Sequence, residues 1–264
     1  MQNSFILCFL FHILSKRRMR MTAKRYFMIE LFLVCILTIL CVSIYKKRTD
    51  VIETNSKVSA QEKVCYLTFD DGPSNHTEKI LDILAEYDVK ATFFLIGGEM
   101  QEERRTVIER ILNEGHAIGL HSNIHHFDKL YVSVDHCVQD FESQYHTLKK
   151  EYGIATKLFR FPGGSACTYM NGQREQFIKA MHKKGYLCFD WNVSGEDSYG
   201  NPTVWSIQKN VFDDFFNYEK PIVLLHDANV AGATVEALPG ILERIKAEGY
   251  TFATLEDAEE YVYR

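Results

Sequence analysis

Two patterns of apolar residues divide the chain. From Tyr26 to Tyr45 they run almost unbroken, with Glu30 the single charge. From Lys63 onward, short apolar runs alternate with stretches whose apolar residues recur every three or four positions. The first pattern predicts a membrane-spanning helix, since about 20 helical residues rise about 30 Å, the thickness of a bilayer core. The second predicts strands and helices in alternation.

The short runs are rich in β-branched and aromatic residues. They predict strands at Val64–Phe69, Ala91–Ile96, His116–Leu120, Lys157–Phe161, Tyr186–Trp191, Ile222–Leu225 and Tyr250–Thr254. Between them, apolar stripes predict helices with one buried face. The stripes are Ile80, Leu84 and Tyr87; Val107, Ile108, Ile111 and Leu112; Val134, Val138, Phe141, Tyr145 and Leu148; Val204, Ile207, Val211 and Phe215; and Leu238, Ile241, Leu242 and Ile245. Gly115, Gly153, Gly185 and Gly249 each precede a strand, where a glycine ends a helix. Seven βα units predict an α/β fold with a parallel sheet covered by helices. A closed or nearly closed barrel is preferred, because no G-x-G-x-x-G follows the first strand.

Composition sharpens this picture. With 46% hydrophobic and 25% charged residues the 264-residue chain can bury a core, so wholesale disorder is excluded. The net charge of −5 hides a split, with +7 over residues 1–50 and −12 over 51–264. An acidic body argues against a nucleic-acid partner. Lys16, Arg17, Arg18, Arg20, Lys24 and Arg25 precede the apolar span, and Lys46, Lys47 and Arg48 follow it. The heavier basic flank keeps the N-terminus in the cytoplasm and puts the body outside the cell. A cleaved signal peptide is the competing reading. The run is longer than a signal h-region and no A-x-A-like site follows, so an uncleaved single-pass anchor is preferred. Residues 4–14 are apolar but too short to span, and a start at Met19 or Met21 would account for them. The expected organisation is a basic leader (1–25), a transmembrane anchor (26–45), a stalk (46–62) and a catalytic body (63–264). The cysteines form no C-x-x-C pair, so neither a zinc knuckle nor a disulfide scaffold is expected. No obligate protein partner is evident.

In α/β barrels, catalytic groups gather at the C-terminal ends of the strands. Here the first strand is followed by Asp70 and Asp71 in T-F-D-D-G-P, and the third by His121 and His125 in H-S-N-I-H-H. The fourth ends at Arg160 in R-F-P-G-G, the fifth at Asp190-Trp191, and the sixth at His226-Asp227. Singly, each signal has an ordinary explanation as a turn, a solvated face or a surface ion pair. Jointly, they bring ionisable groups to one rim. A carboxylate with two imidazoles suits a divalent metal that activates water. A second carboxylate suits a general base, and a separate histidine a general acid.

These five motifs, in this order, resemble those of the polysaccharide deacetylase family, the NodB-homology domain of carbohydrate esterase family four. The resemblance covers about residues 63–256. It implies a deformed (β/α) barrel of seven or eight strands that hydrolyses an N-acetyl group of an N-acetylhexosamine in a polysaccharide. It also implies roles. Asp70 would be the base, oriented by Arg160. Asp71, His121 and His125 would hold one divalent metal, with zinc first and cobalt, nickel or manganese acceptable. His226 would be the acid, held and tuned by Asp190. Trp191 and Leu224 would line the slot for the acetyl methyl, and the Gly163 N–H would face the oxyanion. The chain departs from the family at His126, where proline is usual, and at Gly163, where a bulky residue is common. His126 is thus a competing ligand. Tyr131, Phe161, Tyr169, Trp191 and Tyr199 are candidates to stack on sugar rings.

An anchored body on a short stalk favours peptidoglycan as the polymer. An exported poly-N-acetylglucosamine, a chitooligosaccharide or acetylxylan come next. Three other classes were weighed. An aspartyl-phosphate phosphatase needs D-x-D-G, and D-D-G is one residue short. An iron oxygenase with two histidines and a carboxylate needs an antiparallel jelly roll. A degenerate sugar-binding module would not need the complete set of base, acid and ligands.

Overall fold

The computed structural model describes residues 63–258 and, before them, residues 28, 30–34, 36–38, 40, 42, 43 and 46. The chain divides into two units, Met1–Gln61 and Glu62–Arg264. The leader, all of the stalk but its first residue, and part of the predicted anchor lie outside the described residues. Those described within 26–45 are helical. Among the described residues no helix is long and apolar enough to cross a membrane.

The second unit alternates strand and helix as the pattern predicts. Its strands are β1 (Val64–Gly72), β2 (Thr92–Leu95), β3 (Ala117–Leu120), β4 (Leu158–Phe159), β5 (Leu187–Cys188), β6 (Val193–Ser194), β7 (Ile222–His226) and β8 (Thr251–Ala253). Its helices are α1 (Thr77–Glu86), α2 (Arg105–Asn113), α3 (Phe127–Leu130), α4 (Val134–Tyr152), α5 (Arg174–Lys183), α6 (Val204–Asp214) and α7 (Gly232–Ala247). All strand pairs are parallel, in the order β5-β4-β3-β2-β1-β7-β6, with β8 also on β1.

The strand expected over Tyr186–Trp191 is shortened to β5, and a further strand that the pattern did not predict, β6, follows it. The strands β5 and β6 stand at opposite ends of the hydrogen-bonded path, joined only by residues 189–192. A flat ribbon of this order would set its ends about 29 Å apart. The chain from Cys188 to Val193 reaches at most about 18 Å. The sheet is therefore rolled, with the 189–192 segment bridging the gap. This is a barrel-like α/β sheet with an open seam.

The core is rich in aromatic residues. Phe159 and Phe161 meet edge to face at 4.9 Å, and Phe141 packs on both. The predicted helix faces are buried or partly buried against the core, with one addition. On α4 the buried residues are Cys137, Asp140, Phe141, Gln144 and Leu148, so two polar side chains point inward beside the apolar stripe. Ser133 caps this helix by accepting a bond from the His136 N–H, and Gly153 ends it at φ 72°.

Leu67 is fully buried on the central strand. Leu67→Ala is expected to lower unfolding free energy by about 2–5 kcal/mol. Urea titration of the purified protein checks this, and Val132→Ala, at an exposed position, serves as the control with no measurable loss.

Candidate active site

Consecutive residues of a strand face opposite sides of a sheet. Asp70 and Asp71 escape that rule because β1 shifts register against β2 between Asp70 and Gly72, with Asp71 at φ 72°. A left-handed aspartate at a bulge re-aims its side chain, and both carboxylates reach one site. His121 follows β3. Its Nδ1 lies 2.9 Å from the Arg160 carbonyl oxygen, which can only accept, so Nδ1 carries the proton and Nε2 offers a lone pair. His125 comes from the next turn, also left-handed at φ 48°.

These three residues converge. The Nε2 atoms of His125 and His121 stand 3.1 and 3.4 Å from Asp71 Oδ1. One ligand atom from each residue lies within 4.8 Å of the others. Asp71 Oδ1 is buried without a well-formed hydrogen bond, a costly state for a carboxylate unless a cation meets it. Burial pushes the Asp71 carboxyl up, but the two imidazoles hold it well below the carboxylate range. Burial pushes His125 down, and the Asp71 carboxylate more than reverses this. An ionised carboxylate and two imidazoles with facing nitrogens fit a divalent metal. His126 is exposed at the start of α3 and stands outside this cluster, which leaves His125 as the second imidazole.

Asp70 is set by Arg160, a fully buried arginine. Its Nη1 donates to Asp70 Oδ1 at 2.7 Å and to Thr68 Oγ1 at 2.8 Å. Its Nε donates to the Phe189 carbonyl and its Nη2 to that of Asp190. The guanidinium lies 4.3 Å from the Phe94 ring centroid. Asp70 Oδ2 is 3.6 Å from His121 Nε2.

On the far side, β7 ends at His226, which pairs in register with Asp70. Leu224, two residues earlier, shares its face. A cavity of about 360 Å³ joins these parts, lined by Asp70, Asp71, His121, His125, His226 and their neighbours. Gly163, Trp191 and Leu224 line it too, with Phe127, Ser194, Glu196, Ser198 and Tyr199. At Gly163, φ is 76° and an added Cβ would come 2.8 Å from the Phe127 ring, so a side chain there would require that ring to shift.

Residues 57–188 match the profile of the family described as Polysaccharide deacetylase. The chain belongs to that family. A peptidoglycan-N-acetylglucosamine deacetylase of Bacillus cereus is 35% identical over 212 residues, covering 78% of this chain and 92% of that one. The crystal structure of the catalytic domain of peptidoglycan N-acetylglucosamine deacetylase from Eubacterium rectale ATCC 33656 matches with a TM-score of 0.71 at 31% identity. It covers 78% of this chain and 94% of that chain. A family 4 acetyl xylan esterase from Clostridium thermocellum, in complex with a cobalt ion, matches at 0.62 and 28% identity, covering 74% and 89%.

In this polysaccharide deacetylase, one expected contact is replaced. The partner of His226 is Asp197, not Asp190. Asp197 Oδ1 lies 2.7 Å from His226 Nδ1, and its Oδ2 accepts from the His226 N–H and from Thr234 Oγ1. Asp190 instead accepts from the N–H and hydroxyl of Ser165, which ties the R-F-P-G-G loop to the segment after β5. The signal was missed because β6 is two residues long, too short to read from alternation, and Asp197 follows it. Asp227, next to His226, accepts from Ser74 and Thr77 and anchors the D-D-G-P turn. Of the five aromatics proposed for stacking, Trp191 and Tyr199 line the cavity. Tyr169 is exposed, while Tyr131 and Phe161 are buried, with the Tyr131 hydroxyl donating to the Pro162 carbonyl.

Burial alone pushes His226 down, but its bond to Asp197 and the carboxylates around it hold it up at about 9. His226 is then protonated at neutral pH. This interaction stabilises the fold fully below 6.5 and is lost as pH rises through about 9. Asp197→Asn is expected to lower the His226 pKa by about one unit or more. NMR titration of the imidazole checks this, and an unchanged value would remove Asp197 as its cause.

Proposed function

We propose that this chain is a metal-dependent deacetylase of N-acetylhexosamine residues in cell-wall peptidoglycan, anchored in the cell membrane with its body outside. The observation that carries the reading is one cavity bordered by three groups: the Asp71–His121–His125 cluster, the Arg160-held Asp70 and the Asp197-held His226. The peptidoglycan deacetylases of Bacillus cereus and Eubacterium rectale support the polymer. The apolar run over 26–45 and its basic flanks support the anchor.

A divalent cation on Asp71, His121 and His125 would supply Lewis acidity for the amide carbonyl and for a water molecule. Asp70 takes a proton from that water as its oxygen adds to the carbonyl carbon. Arg160 keeps Asp70 oriented for this step. The Gly163 N–H donates to the developing oxyanion. His226 then gives its proton to the amide nitrogen, the C–N bond breaks, and acetate leaves the free amine of the sugar. Trp191 and Leu224 hold the acetyl methyl.

A second reading has the same groups cleave an O-acetyl ester, and the acetyl xylan esterase of Clostridium thermocellum favours it. Acetate release from a panel of peptidoglycan, chitooligosaccharide and acetylxylan, with and without chelator, separates the two. The account expects chelator-sensitive release from N-acetylated glycan. Asp70→Asn is expected to keep its metal by elemental analysis and lose about 10²–10⁴-fold in kcat. Asp71→Ala is expected to lose the metal itself. Full activity in Asp70→Asn would contradict the assigned base.

A further inference from the structure

The loop that carries His121 and His125 is held from outside the cavity. We propose that Asp140 is a positioning residue for the metal centre: through Ser122, its buried carboxylate fixes the loop conformation that aims His125 at Asp71. The inference rests on the reading that Asp71, His121 and His125 hold a cation.

Asp140 sits on the inward face of α4 and is 8% exposed. Its Oδ1 accepts two bonds of 2.7 Å, one from Ser122 Oγ and one from the Asn123 N–H. Ser122 is fully buried, and its Oγ accepts in turn from the His125 N–H at 3.0 Å. A hydroxyl has one proton. Given to Asp140, it leaves the lone pairs for His125, so the direction of the chain is set. Both groups that meet Asp140 are donors, which suits a carboxylate, the stronger acceptor.

The loop needs this restraint. Ser122 and His125 are both left-handed, at φ 72° and 48°, without being glycine. Such residues persist where their surroundings over-determine them. On the inner side, Gly97 and Gly98 donate to the Ser122 and Asn123 carbonyls. On the other side, Asn123, Ile124 and Asp140 border a cavity of about 560 Å³. There the loop is tied to α4 by its hydrogen bonds to Asp140.

The test is zinc titration of the metal-stripped full chain against a chromophoric chelator, with thermal midpoints of the metal-free proteins alongside. Asp140→Ala is expected to weaken zinc binding by about 10–100-fold. Asp140→Asn, which keeps one neutral acceptor, should weaken it less, and Ser122→Ala should weaken it while leaving the Asn123 bond. At saturating zinc, turnover should return toward the parent value, which a general loss of folding would not allow. If Asp140→Ala does not fold, Asp140→Asn and Ser122→Ala carry the test. Unchanged zinc affinity in the folded variants overturns the proposal while the metal reading stands. A parent protein that binds no zinc takes down the metal reading and this inference together.

Discussion

A buried guanidinium sets the register of the whole site. The Arg160 side chain bonds Asp70 and Thr68 on β1 and the carbonyls of Phe189 and Asp190 after β5. Its own carbonyl accepts the proton of His121 Nδ1. One residue therefore orients the carboxylate proposed as base and fixes the tautomer of an imidazole proposed as ligand. Such a buried charge is tolerable only because it is paired, and removing one partner of a buried pair costs about 3–5 kcal/mol. The rolled sheet is what makes this possible, since it brings the segment after β5 back across the open seam.

Around that anchor the backbone is forced. Asp71, Ser122 and His125 are left-handed residues with side chains. Each such conformation costs on the order of 1–3 kcal/mol unless the surroundings impose it. Here they do. The β1 bulge is backed by Asp227 on the D-D-G-P turn, and the histidine loop by Asp140 on α4. The strain falls where two groups must face one point that regular structure would send apart.

Much of this was legible in the sequence, because strand alternation and helical stripes report burial directly. All seven expected strands appear near their expected places, and Asp70, Asp71, His121, His125, Arg160 and His226 line or border one site. What stayed hidden depends on features with no periodic signature. The extra strand β6 is only two residues long, and the partner of His226 is Asp197, which follows it, rather than Asp190. Asp140 and Gln144 are polar and lie off the apolar stripe of α4, yet both are buried and hydrogen-bonded, Gln144 to the Leu95 carbonyl. The bulge at Asp71 leaves no trace in a pattern of apolar residues, and only the adjacency of two acids hinted at it.

The polysaccharide deacetylase fold thus supplies two differently tuned arms to one cavity. On one arm, imidazoles keep a carboxylate ionised beside them. On the other, the Asp197 carboxylate keeps an imidazole protonated. The central claim is that the first arm is a metal centre, and the most direct measurement is a crystal structure of the zinc-soaked protein with anomalous maps at the zinc edge. The account predicts one ion bonded to Asp71, His121 and His125 at about 2.0–2.2 Å. An ion bound elsewhere, or none at these three residues, would contradict it.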